Sequence, residues 1–216
     1  MEATLVTGAR PCEWRNAVLR PPIASDYPPG EHPVAIAVLE LPVGKLKSGA
    51  LRRTKDLLIN DVAIYEIVSS MVKQVGDLRE NRSGSTAADP LETWMQSRSS
   101  LIKRVAARIP GCKDLAHLPR TFRSQARAQL LAVYSDTYLV AEMLGHSVRV
   151  SKEFYANRDR AIRLMVGGRQ VHAAVAPTAR MVRRAAAKWE ERRASAAAWR
   201  LSPAPLSSAD IESPRV

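Results

Sequence analysis

Six side chains stand out by their type and by their position in short, separated stretches of the chain. They are Arg10, Lys47, His117, Arg120, His146 and Tyr155. Arginine and lysine bind oxyanions through several N–H donors, and histidine exchanges protons near neutral pH. A tyrosine hydroxyl attacks an electrophilic centre once a base or a positive field assists the loss of its proton. These residue types suit nucleophilic chemistry on an anionic substrate.

Each of the six also has an ordinary structural interpretation. The first arginine and the lysine suit a solvated surface, and the histidine and arginine of "HLPR" suit a pair one helical turn apart. The histidine after a Leu-Gly pair suits a turn or a helix cap. The tyrosine, which follows a phenylalanine, suits a packed core or interface. Taken one at a time, none of them identifies a site.

Composition favours a nucleic-acid partner. The chain of 216 residues carries a net charge of +12, which predicts binding to nucleic acid first and to an anionic membrane surface second. Its two cysteines lack metal-ligand spacing, and no phosphate-binding Gly-rich loop is present. The N-terminus does not resemble a signal peptide, and no apolar run approaches the roughly 20 residues of a membrane helix. We therefore expect a cytoplasmic protein that needs no metal, nucleotide or other cofactor.

The elements that must position these side chains are mainly helical. The pattern predicts a mainly α protein with a small antiparallel β-sheet (α+β), whose strands lie at 34–41 and on either side of a turn at Ser48-Gly49. Apolar spacing and caps predict these helices: 10–20, 62–80, 90–109, 121–134, 136–144, 149–166 and 178–200.

The order of the motifs resembles that of the catalytic domain of the tyrosine recombinases, the phage integrase family. "TGARPCEW" resembles the first-arginine motif, with Glu13 in the place of its acidic residue, and "KSGALRRTKDLLI" resembles the hairpin that carries a lysine. "HLPRTFRSQA" resembles the second-arginine box. "LGHSVRVSKEFYA" resembles the closing motif, in which a histidine precedes the tyrosine nucleophile.

The resemblance implies a site-specific recombinase or integrase of a mobile element, which cuts and rejoins double-stranded DNA through a 3′-phosphotyrosine. Arg10 and Arg120 would bind the phosphate, Lys47 (or Lys45) would protonate the leaving oxygen, and the two histidines would assist Tyr155. A set of cations would contact DNA phosphates. It comprises Lys45, Arg52, Arg53, Lys55, Arg123 and Arg127. An inactive, DNA-binding remnant of an integrase is the alternative.

The resemblance also implies a domain organisation. Residues 1–175 would form the catalytic domain, 176–200 a helix that docks on its own domain or on a neighbour in a tetramer on DNA, and 201–216 a disordered tail. Only nine residues precede Arg10, so the family's N-terminal core-binding domain would be absent and the catalytic domain truncated. The spacing from Arg120 to His146 is longer than in the family, and 132–138 are expected to form an insertion.

Overall fold

The computed structural model describes residues 2–30, 34–43, 54–80, 90–108, 118–145 and 173–201. The α-helices in these ranges are α1 (Glu2–Thr7), α2 (Val62–Glu80), α3 (Pro90–Ala106), α4 (Leu118–Tyr134), α5 (Thr137–Leu144) and α6 (Ala179–Leu201). The strands are β1 (Val18–Arg20), β2 (Ala37–Pro42), β3 (Thr54–Ile59) and β4 (Ala176–Pro177). They form one antiparallel sheet in the order β1-β2-β3-β4, which confirms a mainly helical α+β structure.

The centre of the sheet is apolar and buried. Leu39 of β2 lies opposite Leu57 of β3 in the register, and neither side chain is exposed to solvent. The next two pairs in the register are Glu40 with Asp56 and Leu41 with Lys55. Strand β3 therefore carries two charged residues next to its apolar ones. Helices cover the apolar surface, and the core includes Trp14, Val68, Met71, Met143 and Met181.

The first predicted helix is largely wrong. Instead of a helix over 10–20, a 3₁₀ helix runs over Pro11–Asn16, and the chain then becomes the edge strand β1. Pairing of β1 with β2 overrides the weak helical preference of this segment, because the strand gains a ladder of backbone hydrogen bonds. The predicted strand at 34–41 and the end of the second segment are confirmed as β2 and β3. Neither α1 nor β4 was predicted.

Side-chain caps explain where two of the helices begin. Oδ1 of Asp61 accepts a hydrogen bond from the backbone N–H of Ile64 at 3.0 Å, which caps α2. Oδ1 of Asp136 accepts from the N–H groups of Tyr138 and Leu139 at 2.8 and 3.2 Å, which caps α5. The predicted helix at 149–166 lies outside the described residues.

The expected insertion at 132–138 does not form a separate loop. Helix α4 continues to Tyr134, and α5 begins at Thr137, so only two residues join them. Ser135 takes a left-handed conformation with φ of 53°, which turns the chain between the helices. Residues 132–138 therefore form the end of α4, a two-residue turn and the start of α5.

Candidate functional site

The site is organised around the carboxylate of Glu13, which is fully buried. Its Oε2 accepts a hydrogen bond from the backbone N–H of Arg10 at 2.8 Å, and its Oε1 accepts one from Nη1 of the Arg10 side chain at 3.1 Å. The 3₁₀ helix at Pro11–Asn16 produces this geometry, because it places Glu13 one turn after Arg10. The side chain of Arg10 is 24% exposed, so its guanidinium reaches the surface although it is bound to the buried carboxylate of Glu13.

Lys55 of β3 approaches the same carboxylate from the sheet. Its Nζ lies 2.6 Å from Oε2 of Glu13, and its side chain is only 1% exposed. Burial lowers the pKa of Lys55 to about 8, although Glu13 acts in the opposite direction. Burial alone would raise the pKa of Glu13, but Lys55, the backbone N–H of Arg10 and the charge of Arg123 together hold it below its ordinary value.

Arg123 of α4 connects three parts of the chain that are distant in sequence. Its guanidinium donates hydrogen bonds to the backbone carbonyls of Gly8 and Leu144, and its Nη1 lies 3.8 Å from Oε2 of Glu13. Burial lowers the pKa of Arg123 to about 10 against the raising effect of Glu13, so the group stays charged at neutral pH. Arg123 thus joins "TGAR" to the end of α5, immediately before His146.

Two glycines allow this close approach. Gly8 has φ of +64°, and a Cβ at this position would lie 2.4 Å from Cδ2 of Leu144. Gly145 also has φ of +64° and ends α5, and a Cβ there would lie 3.4 Å from Val43 and 3.8 Å from Cδ of Lys55. Glycine at both positions avoids the strain of a left-handed conformation. The Leu-Gly pair therefore packs directly on Gly8 and on Lys55.

Four charged groups of the described residues form this cluster. Arg10, Lys55 and Arg123 surround the carboxylate of Glu13, so these four groups together carry two more positive than negative charges at neutral pH. The backbone carbonyls of Gly8 and Leu144 orient the guanidinium of Arg123. A partly buried excess of guanidinium charge attracts oxyanions, because arginine presents paired N–H donors to phosphate or carboxylate.

One of the six predicted catalytic side chains, Arg10, has a described position in this cluster. Arg120 lies in α4 one helical turn before Arg123, and its side chain is outside the described part of the chain. The other four fall outside the described residues: Lys47, His117, His146 and Tyr155. Three of the predicted DNA-contacting cations do so as well: Lys45, Arg52 and Arg53.

The prediction that Lys55 contacts DNA phosphates is wrong. A phosphate on the outside of the protein cannot reach an ammonium group that is buried against Glu13. Arg123 was predicted as a peripheral phosphate contact, whereas its side chain is 12% exposed and lies beside Glu13. Arg127, one turn further along α4, is half-buried.

A signal for Lys55 was present in the sequence. Residues 55, 57 and 59 of a strand point to one face, and the other two are the apolar Leu57 and Ile59. A lysine in such a buried register requires a carboxylate partner. The partner itself could not be predicted, because 42 residues separate Glu13 from Lys55 along the chain.

Comparison with known proteins adds no relative. The chain matches no protein-family model, no curated protein and no solved structure. Across the described ranges, no group of three or more His, Cys, Asp or Glu side chains is placed to hold a metal ion. Among the helices of those ranges, none has both the length and the apolar character to cross a membrane.

Proposed function

We propose that this protein is the catalytic domain of a tyrosine-type site-specific DNA recombinase or integrase. We further propose that the cationic cluster around Glu13 binds the scissile phosphate. The observation that supports the proposal is that Arg10 and Arg123 both lie at Glu13, while Arg123 also donates a hydrogen bond to the carbonyl of Leu144 at the end of α5. These segments are the ones that resemble the family's first-arginine, second-arginine and closing motifs. Three motifs that are distant in sequence therefore lie around one group of positive charges.

The proposed second arginine is Arg123 in place of Arg120. Arg123 shares Glu13 with Arg10, and it lies three residues nearer to His146 than Arg120 does. The spacing that looked too long therefore shortens by nearly one helical turn. This assignment agrees with the continuous α4–α5 hairpin, which contains no inserted loop.

The proposed reaction is a transesterification of a DNA phosphodiester. The hydroxyl oxygen of Tyr155 attacks phosphorus and loses its proton to a base, for which His117 is the candidate. The bond from phosphorus to the 5′-oxygen breaks, and that oxygen takes a proton from Lys47. The phosphate charge is stabilised by Arg10, Arg123 and a hydrogen bond from His146. The reverse attack by a 5′-hydroxyl rejoins the strand.

Covalent capture tests this proposal. The protein is incubated with duplexes of randomised sequence that carry a nick near the cleaved position, so that the short product diffuses away and prevents rejoining. DNA that stays attached to the protein in hot detergent is recovered, and the modified peptide is identified by mass spectrometry. We expect a phosphodiester on Tyr155 and no adduct with Tyr155→Phe, which retains the ring and removes the nucleophile.

Other outcomes would lead to different conclusions. An adduct that persists in Tyr155→Phe would contradict the assignment of the nucleophile. Salt-sensitive duplex binding without any adduct would favour the non-catalytic DNA-binding alternative. If the wild-type protein neither binds duplex DNA nor forms an adduct, the proposed function is wrong. Assembly into tetramers on DNA, also part of the proposal, is measured on captured complexes by light scattering.

A further inference from the structure

Lys55 has no role in the reaction described above, yet it is placed at the centre of the site. Its Nζ contacts Glu13, and its aliphatic stem packs beside Gly145. Its side chain is only 1% exposed, so its ammonium group is screened from solvent. The same carboxylate oxygen, Oε2, faces the Lys55 ammonium at 2.6 Å and the Arg123 guanidinium at 3.8 Å.

We propose that Lys55 is a positioning residue that neutralises Glu13 from the side of the sheet. Glu13 then orients Arg10 and Arg123 without cancelling the charge with which they bind phosphate. This role rests on the proposed function. The distances support separate roles for the three cations. The Glu13 carboxylate lies 2.6 Å from the buried Lys55, 3.1 Å from Arg10 and 3.8 Å from Arg123, so it pairs most closely with the cation that cannot reach the substrate. The two arginines then act on the phosphate with their charge largely intact.

Removal of the ammonium group reverses this arrangement. Without Lys55, the cations of this cluster that still pair with Glu13 are Arg10 and Arg123, and the excess charge of the cluster drops from two to one. An arriving phosphate must then compete with a buried carboxylate for the same guanidinium groups. Removal of both charged partners, Lys55 and Glu13, should return the excess charge to two.

A charge-balanced pair of variants tests the proposal by duplex binding, which does not require strand cleavage. For Lys55→Met we expect affinity to fall five- to tenfold and the slope of log affinity against log salt to become shallower by up to about 0.9. For the double variant Glu13→Gln/Lys55→Met we expect affinity within about threefold of wild type. Lys188→Met is the matched control, because Lys188 of α6 also pairs with a buried carboxylate, that of Glu142 in α5, away from Glu13. We expect no change in its affinity.

A pH titration of the wild-type protein provides a second test that does not depend on any variant folding. The charged groups that face Lys55 are Glu13 and Arg10 from the 3₁₀ segment and Arg123 from α4. As pH rises through about 8, Lys55 loses its proton while Arg123, with a pKa of about 10, remains charged. Affinity should therefore fall between pH 7 and 9.5 in the wild type and in Lys188→Met. It should stay nearly level in the double variant.

These outcomes separate the two proposals. Wild-type affinity, salt slope and pH profile in a folded Lys55→Met protein would overturn the positioning role and leave the recombinase proposal standing. A double variant as weak as Lys55→Met would also overturn it, since charge compensation predicts recovery. A wild-type protein that does not bind duplex DNA would instead overturn the proposed function.

Discussion

The two faces of β3 carry clusters that differ in net charge. Because side chains alternate along a strand, Lys55 and Asp56 point to opposite faces. On the first face, three of the described cations surround the carboxylate of Glu13. On the second, Asp56 pairs with Arg180, and Arg20 pairs with Asp26 and Glu40. Arg184 donates a hydrogen bond to the backbone carbonyl of Thr54 beside Arg180, so the described part of the second face holds three carboxylates and three arginines.

The second cluster has a structural explanation. Glu40 and Asp56 lie directly opposite each other on β2 and β3, where two like charges destabilise a sheet. Arg20 contacts Glu40 at 2.6 Å and Asp26 at 2.6 and 2.8 Å, and Arg180 of α6 contacts Asp56. The hydrogen bonds from Arg20 hold the pKa of Asp26 below its ordinary value. Charges that balance internally fasten the helix to the sheet, whereas an excess of positive charge suits a ligand.

The largest expected effect concerns the packing of the cationic face. Gly8→Ala places a methyl group against Leu144 and a side chain at positive φ, so we expect a loss of about 3–4 kcal/mol in the free energy of unfolding. Gly30→Ala is the matched control, because Gly30 has φ of +85° with no atom within 4 Å of the new Cβ. It should lose only about 1 kcal/mol. Urea denaturation measures both, and equal losses would contradict the close packing at Gly8.

The next effect is a pH dependence of stability specific to the cationic face. The pKa of Lys55 is about 8 in the folded state and 10.5 ordinarily, so the unfolded chain binds more protons between these values. Stability should therefore rise with pH in this window by about 2–3 kcal/mol relative to Lys55→Met. Urea denaturation of both proteins at pH 7.5, 9 and 10.5 measures this difference. If the difference in the free energy of unfolding between the two proteins does not change with pH, the pKa of Lys55 is not lowered in the folded state.

A smaller effect is expected on the balanced face. Arg20→Met leaves Asp26 and Glu40 without their shared cation, and we expect a loss of about 1–2 kcal/mol in stability. Duplex DNA affinity should stay within about twofold of wild type, since this cluster serves the fold. The comparison with Lys55→Met is decisive: if Arg20→Met weakens DNA binding as strongly as Lys55→Met does, the two faces do not differ in function.

The smallest effect concerns the start of α5. Asp136→Ala removes the acceptor for two backbone N–H groups and should cost about 1 kcal/mol of stability, measured by thermal or urea denaturation. Asp61→Ala, at the start of α2, should cost a similar amount, because Asp61 also caps a helix. A negligible loss in both variants would contradict the capping geometry.

Local patterns in the sequence predicted most of the helical framework. The pattern predicted helices at 62–80 and 136–144, nearly where α2 and α5 are found, since apolar spacing acts over a few residues. The strand β1 was missed because its stability depends on pairing with β2, about 20 residues away. Likewise, β4 consists of two residues that pair with β3 across a long stretch of chain.

The candidate site was predicted in part. The resemblance identified the motif containing Arg10 and Glu13 and the Leu-Gly pair, which are adjacent in the structure. It did not identify Lys55 as the partner of Glu13, and it placed Arg123 among the peripheral cations. Ion pairing between distant segments depends on the tertiary fold, which residue spacing alone does not specify.

The central claim is that Arg123, rather than Arg120, acts with Arg10 on the phosphate. The rate of adduct formation with a captured nicked duplex tests it directly in Arg123→Lys and Arg120→Lys, which retain the charge and lose the paired donors of arginine. We predict a loss of more than about 100-fold for Arg123→Lys and less than about tenfold for Arg120→Lys. A large loss in Arg120→Lys together with near-normal cleavage in Arg123→Lys would contradict the account.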